Sequence, residues 1–226
     1  EILDYAPRFK QHGRIYHPVM LVRRLRPLSG APRIRLRLRP LRDWGAAVPE
    51  RRVGSNHVRW MLEDWTLRLT TDVPLPLVLD EHAFLLDRES HLVLGPDDTL
   101  PQSLAAFGRE QLEQTQDYWR NWVRNLSIPV DWQEAVIRSA ITLKLCQDEN
   151  SGAIVAAMTT SIPEHAHSGR NWDYRYCWLR DAAFVVRALN RLGATRSMEE
   201  YIRYIFNIAG GRSQLAPVYG IHYQAE

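Results

Sequence analysis

The sequence is poor in cysteine and almost without lysine. Cys146 and Cys177 are the two cysteines in 226 residues. That is too few for a disulfide framework, and neither lies in a CxxC or Cys/His metal-ligand spacing. Both are expected as reduced, buried thiols. Lysine occurs only at Lys10 and Lys144, so 27 of the 29 basic residues are arginine, set against 26 acids. A net charge of +3 made up in this way reads first as a compositional bias toward arginine, and only secondarily as a nucleic-acid footprint. No apolar run approaches the roughly 20 residues of a membrane helix; the longest candidate, around Ala153 to Met158, suits a short buried element. Internal repeats, low-complexity tracts, a Gly-rich phosphate loop, a GxSxG elbow and a Ser-His-Asp set are also missing. The first residue is Glu1, with no basic and apolar leader after it, which leaves the compartment open with a cytoplasmic location favoured.

What remains is an ordinary globular composition, 45% hydrophobic and 24% charged, long enough for a sizeable core. Up to about residue 100, short extended runs are broken by Pro and Gly, the pattern of antiparallel β structure in a meander or sandwich. The clearest run is Pro32 to Leu41. There Ile34, Leu36 and Leu38 alternate with Arg33, Arg35, Arg37 and Arg39, placing apolar groups on one face and guanidinium groups on the other. Further strands are expected at Val19–Arg24, His57–Met61, Thr66–Thr70, Leu75–Leu79 and His91–Leu94, separated by turns such as Leu28-Ser29-Gly30 and Gly95-Pro96-Asp97-Asp98.

After Pro101 the period changes. Ser103 can cap a helix carrying Leu112, Trp119, Trp122 and Leu126 on one stripe. Asp131 with Glu134 resembles a capping box for a second helix, whose apolar face holds Trp132, Val136, Ala140 and Leu143. An extended, Pro-containing stretch over 151–169 precedes a helix from Trp178 to Leu192 that Gly193 stops. Ser197-Met-Glu-Glu200 then reads as a capping box for a helix running to Gly210-Gly211, and helices joined so tightly are antiparallel neighbours.

One segment stands apart, Arg170-Asn-Trp-Asp-Tyr-Arg-Tyr-Cys-Trp-Leu-Arg-Asp-Ala182. It gathers two Trp, two Tyr, three Arg and two Asp where a loop enters a helix. Aromatic faces beside planar charged groups suit a sugar, whose C–H faces stack on rings while its hydroxyls bond to Arg and Asp. Arg180 and Asp181 could hold two hydroxyls of one ring. By composition alone the same segment reads equally as a buried salt-bridge and packing cluster.

The order of its residues, Asn171-Trp-Asp-Tyr-Arg-Tyr-Cys-Trp-Leu-Arg-Asp181, closely resembles the signature of glycoside hydrolase family 15, the glucoamylase and bacterial trehalase family. Ala156-Ala-Met-Thr-Thr-Ser-Ile-Pro-Glu164 is similar to the strand and loop before that signature in bacterial members, with Met158 where many relatives have Pro. Tyr219-Gly-Ile221 is similar to a segment downstream, and Val22 to Asp43 to part of the N-terminal β-sandwich. The resemblance implies a partial antiparallel β-sandwich over 1–102, a helical linker over 103–130, and over 131–226 the first hairpins of an (α/α)6 toroid. It also implies an exo-acting, anomer-inverting hydrolase that releases glucose from the non-reducing ends of α-glucosides, without cofactor. Arg180 and Asp181 match the pair that grips the terminal glucose, Trp178 an aromatic of the pocket wall, and Tyr174 the tyrosine near the scissile centre. Asp173, Arg175 and Tyr176 are expected to support the loop, and Cys177 to pack beneath it. Inversion needs a protonated and an ionised carboxyl about 6.5–9.5 Å apart. In the family both glutamates lie downstream of the signature, so we expect this chain to be an internal piece of a larger enzyme with its acid and base beyond Glu226.

Glu164, Glu199 and Glu200 match neither role, and the last two read as helix-start acids favoured by the dipole. His165-Ala-His167 beside Glu164 lacks a third ligand, so no metal is assigned and loop polarity is the expectation. Asn125-Leu-Ser127 fits a glycosylation pattern common by chance. The alternatives to the leading function are an α,α-trehalase of the same family, a saccharide-binding relative without catalysis, and an Arg-rich nucleic-acid binder using the Arg33–Arg39 face. No nucleic-acid or membrane partner is expected.

Overall fold

The computed structural model describes residues 1–159, 162–211 and 213–225. The chain divides into two compact units, Glu1–Trp119 and Arg120–Glu226. The first contains β1 (Ile2–Tyr5), β2 (Phe9–Gln11), β3 (Arg14–Tyr16), β4 (Leu21–Leu25), β5 (Arg33–Ile34), β6 (Glu50–Val53), β7 (His57–Met61) and β8 (Thr66–Thr71). Helix α1 (Leu75–Leu79), β9 (Phe84–Leu85), β10 (Ser90–Gly95) and helix α2 (Leu104–Arg124) follow, the last continuing past the unit boundary.

Six strands form an antiparallel sheet in the order β1-β4-β10-β8-β7-β6, while β2-β3 and β5-β9 are separate ribbons. Strand alternation sends neighbouring residues of β10 to opposite faces. Leu92 joins a core with Leu25, Val58, Trp60 and Leu69, closed by Leu36, Val73, Leu75, Val78 and Leu86. Val93 turns the other way, against Val22 and the α2 residue Phe107. Each such fully buried aliphatic side chain contributes about 1.5–3 kcal/mol through removal from water.

The expected strand Pro32–Leu41 pairs only over Arg33–Ile34, against β9. Its period of two survives as burial: Leu36 is buried and Ile34 and Leu38 pack on the core, while Arg33, Arg35, Arg37 and Arg39 are exposed. The ladder stops because β9 is two residues long and Pro40 has no N–H to donate. Leu75–Leu79 is a helix, not a strand. Pro76 in its first turn presets helical φ, and the short apolar run fits either state by pattern alone. Glu50–Val53 forms an edge strand with all four residues exposed, so no alternation marks it.

Ser103 caps α2 as expected, its Oγ accepting from the Ala106 N–H at 3.3 Å. The buried stripe, however, is Phe107, Gly108, Gln111 and Thr115; Leu112, Trp119, Trp122 and Leu126 are half-buried. Gly108 lets the helix approach the sheet: a Cβ there would lie 2.8 Å from His91 Cδ2. The His91 ring is buried between Asp72 and Glu89, and the Asp72 carboxylate also accepts the His91 N–H at 2.8 Å. Alanine normally stabilises a helix interior over glycine by about 1 kcal/mol. Overpacking against a ring that cannot retreat costs about 1–3 kcal/mol, so Gly108→Ala is expected to lower the unfolding midpoint of this unit in a urea titration. A raised midpoint would mean that the ring yields.

The second unit holds α3 (Gln133–Leu145), β11 (Cys177–Trp178), α4 (Leu179–Arg191), α5 (Thr195–Ala209) and β12 (Val218–Tyr219). Antiparallel strands followed by helices agree with the expected order of structure. Neither expected capping box forms. At α3 the N-cap is Trp132, held at φ 60°, so Asp131 falls one position too early to reach the first turn. At α5 the helix starts at Thr195, which puts Ser197 inside it and buried. Gly193 does end α4. At φ +81° it lets its own N–H reach the Asn190 carbonyl and the Ala194 N–H reach the Leu189 carbonyl, the paired bonds of a Schellman turn. That turn folds α5 back on α4, and Cys177, Ala182, Tyr201, Tyr204, Ile208 and Tyr219 make the shared core.

Candidate functional site

The segment 170–182 folds as a loop that becomes β11 and then, without a break, α4. Cys177 pairs with Tyr219 and Trp178 with Val218, and the Leu179 N–H donates to the Pro217 carbonyl at 3.1 Å. Upstream, the N–H groups of Ala156 and Ala157 donate to the carbonyls of Tyr176 and Tyr174 at 3.1 and 2.8 Å. The loop is therefore fastened by backbone bonds from two sides. Thr160 and Ser161, in the stretch expected to precede it, lie outside the described residues.

Three aromatic rings gather on this frame. Trp178 meets Tyr174 at a centroid distance of 5.9 Å and Trp172 edge-on at 6.0 Å, within the range in which aromatic pairs attract. Each indole is oriented by its N–H: Trp178 Nε1 donates to the Asp173 carbonyl at 2.9 Å, and Trp172 Nε1 to Glu164 Oε1 at 2.8 Å. Tyr174 and Trp172 stay more than a third exposed, so apolar ring surface faces outward from a braced loop. Asp173 closes an Asx turn on the Arg175 N–H and grips the Arg175 guanidinium at 2.6 Å. That hydrogen-bonded pair raises the arginine's affinity for its proton further.

Arg180 and Asp181 follow in the first turn of α4, where a carboxylate complements the helix dipole. Arg180 Nη2 donates to Asp181 Oδ2 at 3.1 Å; the Arg180 side chain is 72% exposed and Asp181 33%. The structure thus brings Tyr174 and Trp178 together by ring contact, and Arg180 and Asp181 together by an ion pair. The chain itself at Leu179 joins the two pairs. Cys177 is wholly buried beneath, and desolvation pushes its thiol above the usual range. Cys146, expected to be buried, is only half so. His165 Nδ1 lies 3.1 Å from the Ala166 carbonyl. Among the described residues, no three His, Cys, Asp or Glu side chains gather as a metal site. An open depression of about 500 Å³ beside Trp132, Glu134 and Arg138 contains none of the loop residues.

Two features escape a reading by pattern. Trp172 belongs to the aromatic cluster, a role its place in the motif allowed but did not assign. Behind the loop lies a buried polar network, and Glu200 is part of it instead of starting a helix. Lys144 Nζ meets Glu149 Oε1 at 2.8 Å and donates to Gln147 Oε1 at 2.9 Å. Gln147 Nε2 donates to Glu200 Oε2 at 3.0 Å, and Glu200 Oε1 pairs with Arg196 at 2.7 Å. Lys144, Gln147 and Glu200 are all buried.

Residues 131–221 match the family model described as "Glycosyl hydrolases family 15". Trehalase of Thermoplasma acidophilum is 37% identical over 111 residues, 49% of this chain and 19% of that protein. Trehalase of Mycobacterium tuberculosis is 37% identical over 117 residues, 50% of this chain and 17% of the relative. Trehalase 1 of Sulfolobus acidocaldarius is 30% identical over 158 residues, covering 69% and 27%. The matched stretch thus spans less than a fifth of the first two relatives, and archaeal relatives stand beside bacterial ones. The fold matches the crystal structure of a bacterial glucoamylase complexed with acarbose at a TM-score of 0.58 and 14% identity, over 100% of this chain and 40% of that one. The class defined by these matches is that of the glycoside hydrolases. Within it, residues 131–221 carry the match to glycosyl hydrolases family 15.

Proposed function

We propose that this chain supplies the sugar-gripping part of an inverting, exo-acting hydrolase that releases glucose from the non-reducing ends of α-glucosides. The observation that carries this reading is the junction of loop and helix inside the family-matched stretch, where Trp178, in ring contact with Tyr174, is separated from the Arg180–Asp181 pair by Leu179 alone. The rings offer faces for the C–H side of a pyranose, and the charged pair offers a donor and an acceptor to adjacent hydroxyls. The acid and base are assigned to glutamates following Glu226 in the complete enzyme. Residues 1–102 are assigned to an N-terminal β-sandwich, residues 103–130 to a linker, and 131–226 to the start of an (α/α)6 catalytic domain. An α,α-trehalase is the second reading, favoured by the name borne by the relatives at up to 37% identity. A nucleic-acid role for the Arg33–Arg39 face is disfavoured because Glu81 pairs with both Arg37 and Arg39.

The complete enzyme is expected to release glucose from trehalose or maltose with inversion, so that proton NMR at early times shows the cleaved unit as β-glucose, from trehalose in equal amount with the α-glucose that leaves. The ratio of the two rates separates the two readings. No glucose from either sugar, or a cleaved unit released as the α-anomer, would sink both.

A further inference from the structure

The buried network behind the loop has no place in substrate contact, yet it is built into the loop's support. Lys144 and Gln147 stand at the end of α3, and residues 146–155 form a narrow turn. There Gln147 bridges to Ile154, the Val155 N–H donates to the Cys146 carbonyl at 2.9 Å, and the Asp148 N–H to the Ala153 carbonyl at 2.8 Å. Asp148 closes its tip by accepting from the Ser151 N–H and hydroxyl. The segment leaving this turn is the one whose Ala156 and Ala157 amides hold the carbonyls of Tyr176 and Tyr174. The other end of the network is on α5, where Glu200 Oε2 and the Ser197 carbonyl both accept from Gln147 Nε2. Gly152 sits so close to the Glu200 carbonyl that it leaves no room for a side chain. The path from Glu200 to the aromatic cluster is therefore Gln147, the segment 153–157, and the backbone of Tyr174.

An ionic network with Lys144 and Glu200 both buried is weak evidence for stability, because desolvation offsets most of the attraction; specificity of arrangement is the better account of such groups. We propose that Glu200, acting through Gln147 with Lys144, is a positioning residue that sets the height of the saccharide loop and so the place of Tyr174 and Trp178. The inference rests on the reading of that loop as the sugar pocket.

The test uses the complete enzyme and the better of trehalose and maltose as substrate. Glu200→Leu removes the acceptor, whereas Glu200→Gln keeps an oxygen facing Gln147 Nε2. With a folded circular-dichroism spectrum, Glu200→Leu is expected to raise KM about tenfold or more, with a smaller change in kcat, and Glu200→Gln to restore KM to within about twofold of the parent. Unchanged KM in Glu200→Leu, with only a lower melting temperature, would overturn the proposal. So would equal loss in both variants. Should Glu200→Leu not fold, Gln147→Met, which removes the donor to Glu200, is judged on the same KM criterion against the parent. Asp181→Ala runs beside them. Its inactivity with a normal KM in Glu200→Leu rejects the positioning role alone, whereas full activity in Asp181→Ala rejects the pocket assignment and this inference with it.

Discussion

Arg180→Ala and Asp181→Ala in the complete enzyme are each expected to lower kcat/KM by about 10²–10³-fold while leaving the melting temperature almost unchanged. The two halves of this expectation come from different physics. As a structural ion pair, Arg180–Asp181 is weak: the arginine is 72% exposed, and exposed pairs contribute about 0–1 kcal/mol. Asp181 adds a helix-dipole term of about 0.3–1 kcal/mol. As a grip on a sugar, the same groups make charge-assisted hydrogen bonds in a site closed by substrate, where removal of one oriented donor typically costs about 10²–10³ in rate. Steady-state kinetics on trehalose and maltose, with a thermal melt of each variant, decide between the roles. Near-parental turnover in both variants would reduce the pair to a helix-start ornament. Asp181→Asn refines the result, since it keeps the acceptor oxygen and removes the charge.

Gly152→Ala is expected to prevent the second unit from folding. Gly152 has φ +86°, and a Cβ on it would overlap the Glu200 carbonyl oxygen and lie 2.6 Å from its carbon. These are backbone atoms in the middle of α5, so relief requires moving a helix and not a side chain. The left-handed backbone adds about 1–2 kcal/mol for any residue with a Cβ. Together they exceed the roughly 4–5 kcal/mol that marks exceptional substitutions and approach the whole stability of a domain, about 5–15 kcal/mol. Gly169→Ala is the control, because a Cβ at that position would meet no atom within 4 Å. Far-UV circular dichroism and urea unfolding of the two variants should differ sharply. A Gly152→Ala protein as stable as the control would mean that the turn and α5 can separate freely.

Where pattern and burial coincide, the sequence was legible. His57–Met61 alternates in burial and is a strand; Ser103 begins a helix and Gly193 ends one. The readings failed where two physical states share one pattern. Leu75–Leu79 is an apolar run of a length that fits strand or helix, and Pro76 decided for the helix. Capping boxes are spacings of residue types, and a one-residue shift of the helix start at Trp132, or an earlier start at Thr195, empties them of meaning. At the site, residue order identified the loop, but the ring geometry of Trp172 depends on a bond to Glu164 that no periodicity encodes. The network was invisible for a similar reason. Glu200 reads as a helix-start acid, whereas its buried partner is a glutamine 53 positions away.

That glutamine-centred network also restricts how the protein can change over evolutionary time. Any single replacement of Lys144, Gln147 or Glu200 leaves at least one buried polar partner stranded, which typically costs about 3–5 kcal/mol when the partner is charged. Replacement of the whole set by apolar residues of similar volume is close to neutral. The two endpoints are thus separated by a valley that one mutation at a time does not cross, so these positions are expected to be inherited, or lost, as a block.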